Sequence, residues 1–315
     1  MRHDAATGAP ATGNVDCDRA IHESQQRLAA RGAIIVGSGC FRSEGLSGSL
    51  HTDFGPEDQD KETNQDYVLA WRPHPATAHK GIRCAVAMGD GLTTSFRSEY
   101  ASALACWVAL CTLVEGAPAT APKTLASQAF DAAGEAIGRL ADAMGSDPQA
   151  SCPPGQFLST WKYILRKGAL FQTTLTLAWL DQRAMYLAMV GDGGVAWRNY
   201  DDNRKSTDRI LAACNLDSQH VYALGPAERR VQEFDCWHAE TLNGPFLCAV
   251  HTDGVGRGLG GNPLVLLDKV EQLRTKCEEN TARRFIEQAI AQHPKEYGDN
   301  LTLAVIWIDQ ATSSQ

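Results

Sequence analysis

No apolar run in this sequence approaches the roughly 20 residues that would span a bilayer, and residues 1 to 14 carry Arg2 but no apolar stretch of the kind that opens a secretory signal. The expectation is therefore a cytoplasmic protein with no membrane partner. Basic charge is also in short supply: 29 Lys and Arg stand against 37 Asp and Glu, a formal net charge of -8. That balance gives no footprint for a phosphate backbone, so no nucleic-acid partner is expected, and the doublets Arg229-Arg230 and Arg283-Arg284 read as solvated surface. The ten cysteines, at 17, 40, 84, 106, 111, 152, 214, 236, 248 and 277, form no Cys-x-x-Cys pair, and no His-x-x-x-His accompanies them. Reduced structural thiols are the better reading than zinc ligands or disulfides. Internal repeats and low-complexity tracts are absent as well.

What is present is an ordinary globular composition, 43% hydrophobic and 21% charged over 315 residues, long enough for one large layered unit of helices and strands. Residues 1–32 read as an N-terminal extension with a polar helical stretch near Arg19 to Arg31. Residues 33–310 read as the domain and 311–315 as a tail. A first strand is expected from Gly32 to Cys40, then a polar Gly/Ser loop from Ser43 to Asp60, then a strand from Tyr67 to Trp71. Helices are expected over Ser98 to Glu115, Lys123 to Met144 and Gln156 to Arg166, the first so apolar that it should be buried. Ala282, Phe285, Ile286, Ala289 and Ile290 mark an amphipathic helix for an opposite layer. Between Asn199 and Asn243 the chain turns polar, and this segment reads as a flap or insertion.

Four acidic punctuations stand at the ends of strand-like apolar runs: Gly89-Asp90-Gly91, Gly191-Asp192-Gly193, Asp253-Gly254 and Gly298-Asp299-Asn300. Each alone is an ordinary turn signal. Together they suggest more, because Asp90, Asp192 and Asp253 follow their strands while Asp299 precedes its own. In antiparallel neighbours the start of one strand lies beside the end of the next, so the four can share one rim. Carboxylates gathered there would suit a hard cation such as Mg²⁺ or Mn²⁺, which prefers oxygen donors.

The ordered series Lys61-Glu62-Thr63-Asn64-Gln65-Asp66, Val86-Ala87-Met88-Gly89-Asp90-Gly91, Phe171-Gln172-Thr173-Thr174, Val190-Gly191-Asp192, Thr252-Asp253-Gly254 and Gly298-Asp299-Asn300 resembles the motif train of the metal-dependent protein phosphatases of type 2C. The resemblance runs from about residue 33 to residue 309. It implies an α+β fold, a four-layer α-β-β-α sandwich of two antiparallel sheets flanked by helices, with a metal centre at one end. It implies hydrolysis of phosphoserine and phosphothreonine in proteins by water that two ions, Mg²⁺ or Mn²⁺, activate. By the same resemblance Asp90 bridges the metals, Gly91 adds a backbone carbonyl, Asp253 and Asp299 are further ligands, Asp66 holds metal-bound water, and Asp192 belongs to a weaker third site. A phosphoprotein and a cognate Ser/Thr kinase or its target are the partners implied.

Departures from the family pattern carry their own expectations. Lys61 stands where an arginine commonly grips the substrate phosphate, and an ammonium offers a point charge in place of the bidentate fork. Gln65 replaces a common Glu, Leu92 follows Gly91 where His or Met is usual, and Arg257 stands four residues after Asp253 where another Asp often serves the third site. Its cation should discourage a third ion. Ser98, Glu99 and Ser102 read as capping and packing residues of a helix start, and His251 as a core histidine. Two alternatives stay open at this point: a feebly active or non-catalytic module that binds phosphoproteins, and a phosphohydrolase for small molecules.

Overall fold

The computed structural model describes residues 15–309 except 44, 56–63, 75–80, 94, 118, 154, 168–169, 202–205, 213–222, 227–235, 261 and 277–279. Within these, twelve strands form two antiparallel sheets of six. The first sheet holds β1 (Gly32–Val36), β4 (Tyr67–Pro73), β5 (Cys84–Gly89), β6 (Leu175–Leu180), β7 (Ala184–Val190) and β10 (Cys236–Thr241), adjacent in that order. The second holds β2 (Gly39–Ser43), β3 (Leu46–Asp53), β12 (Leu301–Ile308), β11 (Phe246–His251), β8 (Gly194–Tyr200) and β9 (Ser206–Ala212). Helices α1 (Val15–Ala29), α2 (Ser98–Gly116), α3 (Pro122–Ser146) and α4 (Leu158–Lys167) lie on the side of the first sheet. Helices α6 (Leu264–Lys276) and α7 (Thr281–Gln292) cover the second, beside the short α5 (Asp253–Gly258).

The central strands read as unbroken apolar runs because both of their faces are buried. Along β5, Cys84, Val86 and Met88 point between the sheets while Ala85 and Ala87 point to the helices. Along β11, Phe246, Cys248 and Val250 point between the sheets and Leu247 and Ala249 toward α6 and α7. The two-residue period of a strand thus feeds three cores at once. Helix α2 lacks a polar face for the same reason, being wedged between the first sheet and helices α1 and α3. Helix α1 contributes Cys17, Ile21 and Leu28 to that core.

Three sequence expectations change here. The run Gly32 to Cys40 is two strands in different sheets, separated at Gly37, whose φ of 72° is a left-handed conformation that glycine adopts without strain. The Gly/Ser stretch from Ser43 contains β3, an inner strand paired with both β2 and β12. Its alternation is hidden because Ser47, Gly48 and Ser49 supply little side chain, although Leu46 and Leu50 enter the core between the sheets. The polar segment 199–243 contributes two strands, β9 beside β8 and β10 beside β7. Both are edge strands, which tolerate polar residues because one side faces no partner strand. Much of the rest of that segment lies outside the described residues.

Candidate metal centre

One end of the sandwich collects the acidic residues through strand direction alone. Antiparallel pairing sets Gly89, at the end of β5, opposite Tyr67, at the start of β4, so Asp90 and Asp66 are brought together. In the second sheet His251, at the end of β11, pairs with Leu303 of β12 and Gly194 of β8. Asp253 therefore meets Asp299 from one side and Asp192 from the other. The chain crosses between sheets at Gly191-Asp192-Gly193, where Gly191 has φ 112° and a Cβ would overlap Thr174. Only glycine fits that crossing.

Carboxylate oxygens of Asp90, Asp192 and Asp253 lie within 4.8 Å of one another. Asp299 stands one guanidinium away: Arg257 pairs with Asp253 and also places Nη1 3.0 Å from Asp299 Oδ2. Asp66 is fixed from the opposite side, accepting at Oδ2 from Thr252 Oγ1 at 2.9 Å and from Thr302 Oγ1 at 2.8 Å. Asp90 is set by its own backbone. Its N–H donates to Thr174 Oγ1, and its carbonyl accepts from Thr173 Oγ1 at 3.0 Å and from the Thr174 N–H at 2.8 Å. Gly91 donates its N–H to the Gln65 carbonyl, and a Cβ there would sit 2.8 Å from that oxygen.

Burial and mutual repulsion hold these acids in a state that calls for positive charge. Burial pushes the Asp66 carboxyl up to about 7, opposed by the two threonine hydroxyls and reinforced by the Asp253 charge. Asp253 is raised to about 6 by burial and by Asp192, with Arg257 pulling it down. Asp90 is raised well above the ordinary range by burial, then by Asp66, Asp253, Asp192 and Asp299. The donors are carboxylates, with neither thiolate nor imidazole in the group, and Arg257 shows that a cation already settles against two of them. The residues present fit a hard divalent ion.

The other candidates fall into place around this group. Gln65 is turned into helix α2, its Nε2 donating to Ser98 Oγ at 2.8 Å while its backbone carbonyl accepts from Ser102 Oγ at 2.6 Å. Ser98 and Ser102 thus serve packing, and the expected capping is not seen: the helix starts after Arg97, at φ 59°, without a side-chain cap. Glu99 faces Arg97 at 3.4 Å. His251 is buried with Nδ1 2.9 Å from the Thr252 carbonyl and its ring against Gly194, and burial lowers its pKa. That is a core histidine. Leu92 is tied back through its N–H to the Gln172 carbonyl. Lys61 lies outside the described residues.

Sequence reading passed over the hydroxyls of Thr252 and Thr302 as supports of Asp66. The first was legible as the neighbour of Asp253, and the second as the inward-facing position two residues after Asn300. It also took Arg257 as a charge that discourages a third ion, without seeing that the guanidinium would bond both Asp253 and Asp299.

Comparison with known proteins adds a family and a fold. The model for protein phosphatase 2C matches residues 57–292. A serine-threonine phosphatase 2C of Toxoplasma gondii superposes with a TM-score of 0.59 at 14% identity, covering 88% of this chain and 100% of its own. The Mycobacterium tuberculosis serine/threonine phosphatase PstP/Ppp gives 0.52 at 16% identity, covering 84% and 99%. The catalytic domain of PstP in complex with two manganese ions gives 0.50 at 16% identity, again covering 84% and 99%. At these identities the likeness speaks for the fold alone. No curated protein matches this sequence.

Proposed function

Because the chain belongs to the protein phosphatase 2C family, we propose that it hydrolyses phosphoserine and phosphothreonine in proteins, using Mg²⁺ or Mn²⁺. The observation that carries this reading is the meeting of Asp90, Asp192 and Asp253 within 4.8 Å, in a chain of that family. We assign Asp90, Asp253 and Asp299 as the principal ligands, with Asp66 and the Gly91 carbonyl beside them and Asp192 as a weaker third position. Bound there, divalent ions would activate water for in-line attack and offset charge on the phosphoryl oxygens.

The protein's own share is to hold the carboxylates in place. Asp90 comes from the first sheet and Asp253 and Asp299 from the second, so the site depends on the packing of both. Thr252 and Thr302 fix Asp66, and Thr173 and Thr174 fix the Asp90 backbone, leaving little freedom to lose on binding. Lys61 would meet the substrate phosphate with one charged contact. A signalling role opposite a Ser/Thr kinase follows by analogy with the family. Free thiols at Cys84, Cys106, Cys111, Cys152 and Cys248 suit a reducing compartment such as the cytoplasm.

A second reading, a phosphoprotein-binding module with little turnover, is favoured by one observation: Arg257 occupies two of the carboxylates that the reaction needs. The decisive experiment is an assay of metal-stripped protein on phosphothreonine peptides, an aryl phosphate and small phosphometabolites. Turnover of the peptides should vanish in chelator and return with Mn²⁺ or Mg²⁺. Undiminished turnover in chelator would sink the metal mechanism. Binding of phosphopeptide without turnover in any metal would leave the module reading.

A further inference from the structure

Beside the acidic centre, on the far side of Arg257, the surface opens into a cleft of about 340 Å³ between the end of α5, helix α6 and the residues that lead into β12. Its lining includes Arg257, Val265, Lys269, His293, Glu296 and Tyr297. The helix geometry turns one ammonium, that of Lys269, toward this wall. On α6, Asp268 and Glu271 turn to Arg198 of β8, while Val265 and Lys269, one turn apart, turn to the cleft. Glu296 stands beside His293, whose Nδ1 is 3.5 Å away, at the rim of the cleft. Lys269 has neither an ion pair nor a hydrogen bond to its ammonium among the described residues, and the Tyr297 hydroxyl likewise has no partner there. The seat is rigid, because α5 packs Gly258 flat on the Tyr297 ring, where any Cβ would overlap.

We propose that this cleft is a substrate subsite for an acidic residue close in sequence to the phosphorylated side chain, with Lys269 as its charged contact and Tyr297 as its hydroxyl donor. The inference rests on the phosphoprotein reading above and deepens it. The link between the two places is Arg257, which lines the cleft and bonds Asp253 and Asp299, so a peptide whose phosphate lies at the carboxylate rim has its neighbouring residues over the cleft. An anion is the ligand class because the wall offers an unpaired ammonium in a chain of net charge -8, and a carboxylate there gains a charge-assisted hydrogen bond. A glutamate or aspartate side chain also fits the narrow volume better than a folded domain does.

The test compares two phosphothreonine peptides that differ only in carrying glutamates or alanines within three residues on either side of the phosphate. The acidic peptide should have a KM about tenfold lower on the unmodified protein. Lys269→Ala should shrink that ratio to about twofold, Lys269→Glu should invert it, and Lys269→Arg should keep it. A ratio unchanged in both Lys269→Ala and Lys269→Glu would overturn the subsite. Binding of the unphosphorylated glutamate peptide, followed by fluorescence anisotropy at low salt, reads the cleft without catalysis and should be lost in Lys269→Glu. If that binding holds while no phosphopeptide is hydrolysed, the phosphatase reading fails and the cleft stands; absence of binding overturns the cleft even when hydrolysis is brisk.

Discussion

Asp208, Asp268 and Glu271 meet at one guanidinium, that of Arg198, whereas Asp66, Asp90, Asp192, Asp253 and Asp299 meet largely at one another. In the first group Arg198 reaches Asp208 with two nitrogens at 2.7 Å, Asp268 at 2.7 Å and Glu271 at 2.6 Å, and Tyr200 adds a hydroxyl to Glu271. The hydrogen bond to Asp208 is the largest of the causes that hold the Arg198 proton more tightly than in an ordinary arginine. In the second group burial and like charge push three carboxyls upward, and Arg257 answers only part of the repulsion. The first group gathers its acids from the middle of β9 and one face of α6, the second from strand ends and the start of α5. What separates them is a resident cation buried in a strand, which makes one group a fastening between β8, β9 and α6 and leaves the other in need of a ligand.

The sharpest break in this contrast is Asp90→Asn. Removing the charge at the middle of the crowded group should lower phosphopeptide turnover about a hundredfold or more, since even partners that only support a metal ligand cost about 10–100-fold when lost. The same change should raise the melting temperature of the metal-stripped protein, because it removes a buried charge from among four others. Calorimetry in chelator beside a peptide assay in Mn²⁺ checks both halves. Wild-type turnover in the variant would end the assignment of Asp90, and a lowered melting temperature would mean that its carboxylate is held by something other than repulsion.

Arg198→Met should do the reverse. It leaves three acids without their cation, and breaking a fully buried pair costs about 3–5 kcal/mol. Here the Asp268 and Glu271 side chains are 63% and 41% exposed, so water recovers part of that loss and about 2 kcal/mol is expected. Urea unfolding measures it. Activity per folded molecule should stay within about twofold, since the network sits under α6 and away from the carboxylate rim. A stability equal to that of the wild type would make the network ornamental.

How much of this was legible in the sequence depends on whether a local pattern carried the information. The acidic rim was legible because strand ends and Asp-Gly turns are local, and antiparallel pairing does the rest. The buried α2 followed from its apolar run, whereas the two sheets came from the family resemblance. Strand β3 was not legible, because Ser47, Gly48 and Ser49 give no hydrophobic alternation and its place between β2 and β12 is set by partners far along the chain. Nor was the Arg198 network, whose members at 198, 208, 268 and 271 share no motif and are joined only when α6 packs on β8 and β9. The Arg257 clamp falls between these cases: four residues from Asp253 on a helix it must face that carboxylate, whereas its bond to Asp299 needed the fold.

Arg257 is also where the two groups come closest to resembling each other, and the smallest predicted effect lies there. Its side chain is 53% exposed, so its pairing with Asp253 and Asp299 is worth at most about 1 kcal/mol, far short of the hold that the buried Arg198 has on its acids. A divalent ion should therefore displace it at a cost of about fivefold in affinity. Arg257→Asp removes that competitor and adds a carboxylate close to Asp192, so titration calorimetry with Mn²⁺ should show one additional or tighter event, strengthened about fivefold or more, with the principal binding no weaker. Arg257→Gln, which removes the charge without adding a donor, should ease the principal binding and create no new event. Identical isotherms for all three proteins would mean that the guanidinium leaves the carboxylates freely, and that the contrast between a fastened and an unfastened acid cluster owes nothing to this residue.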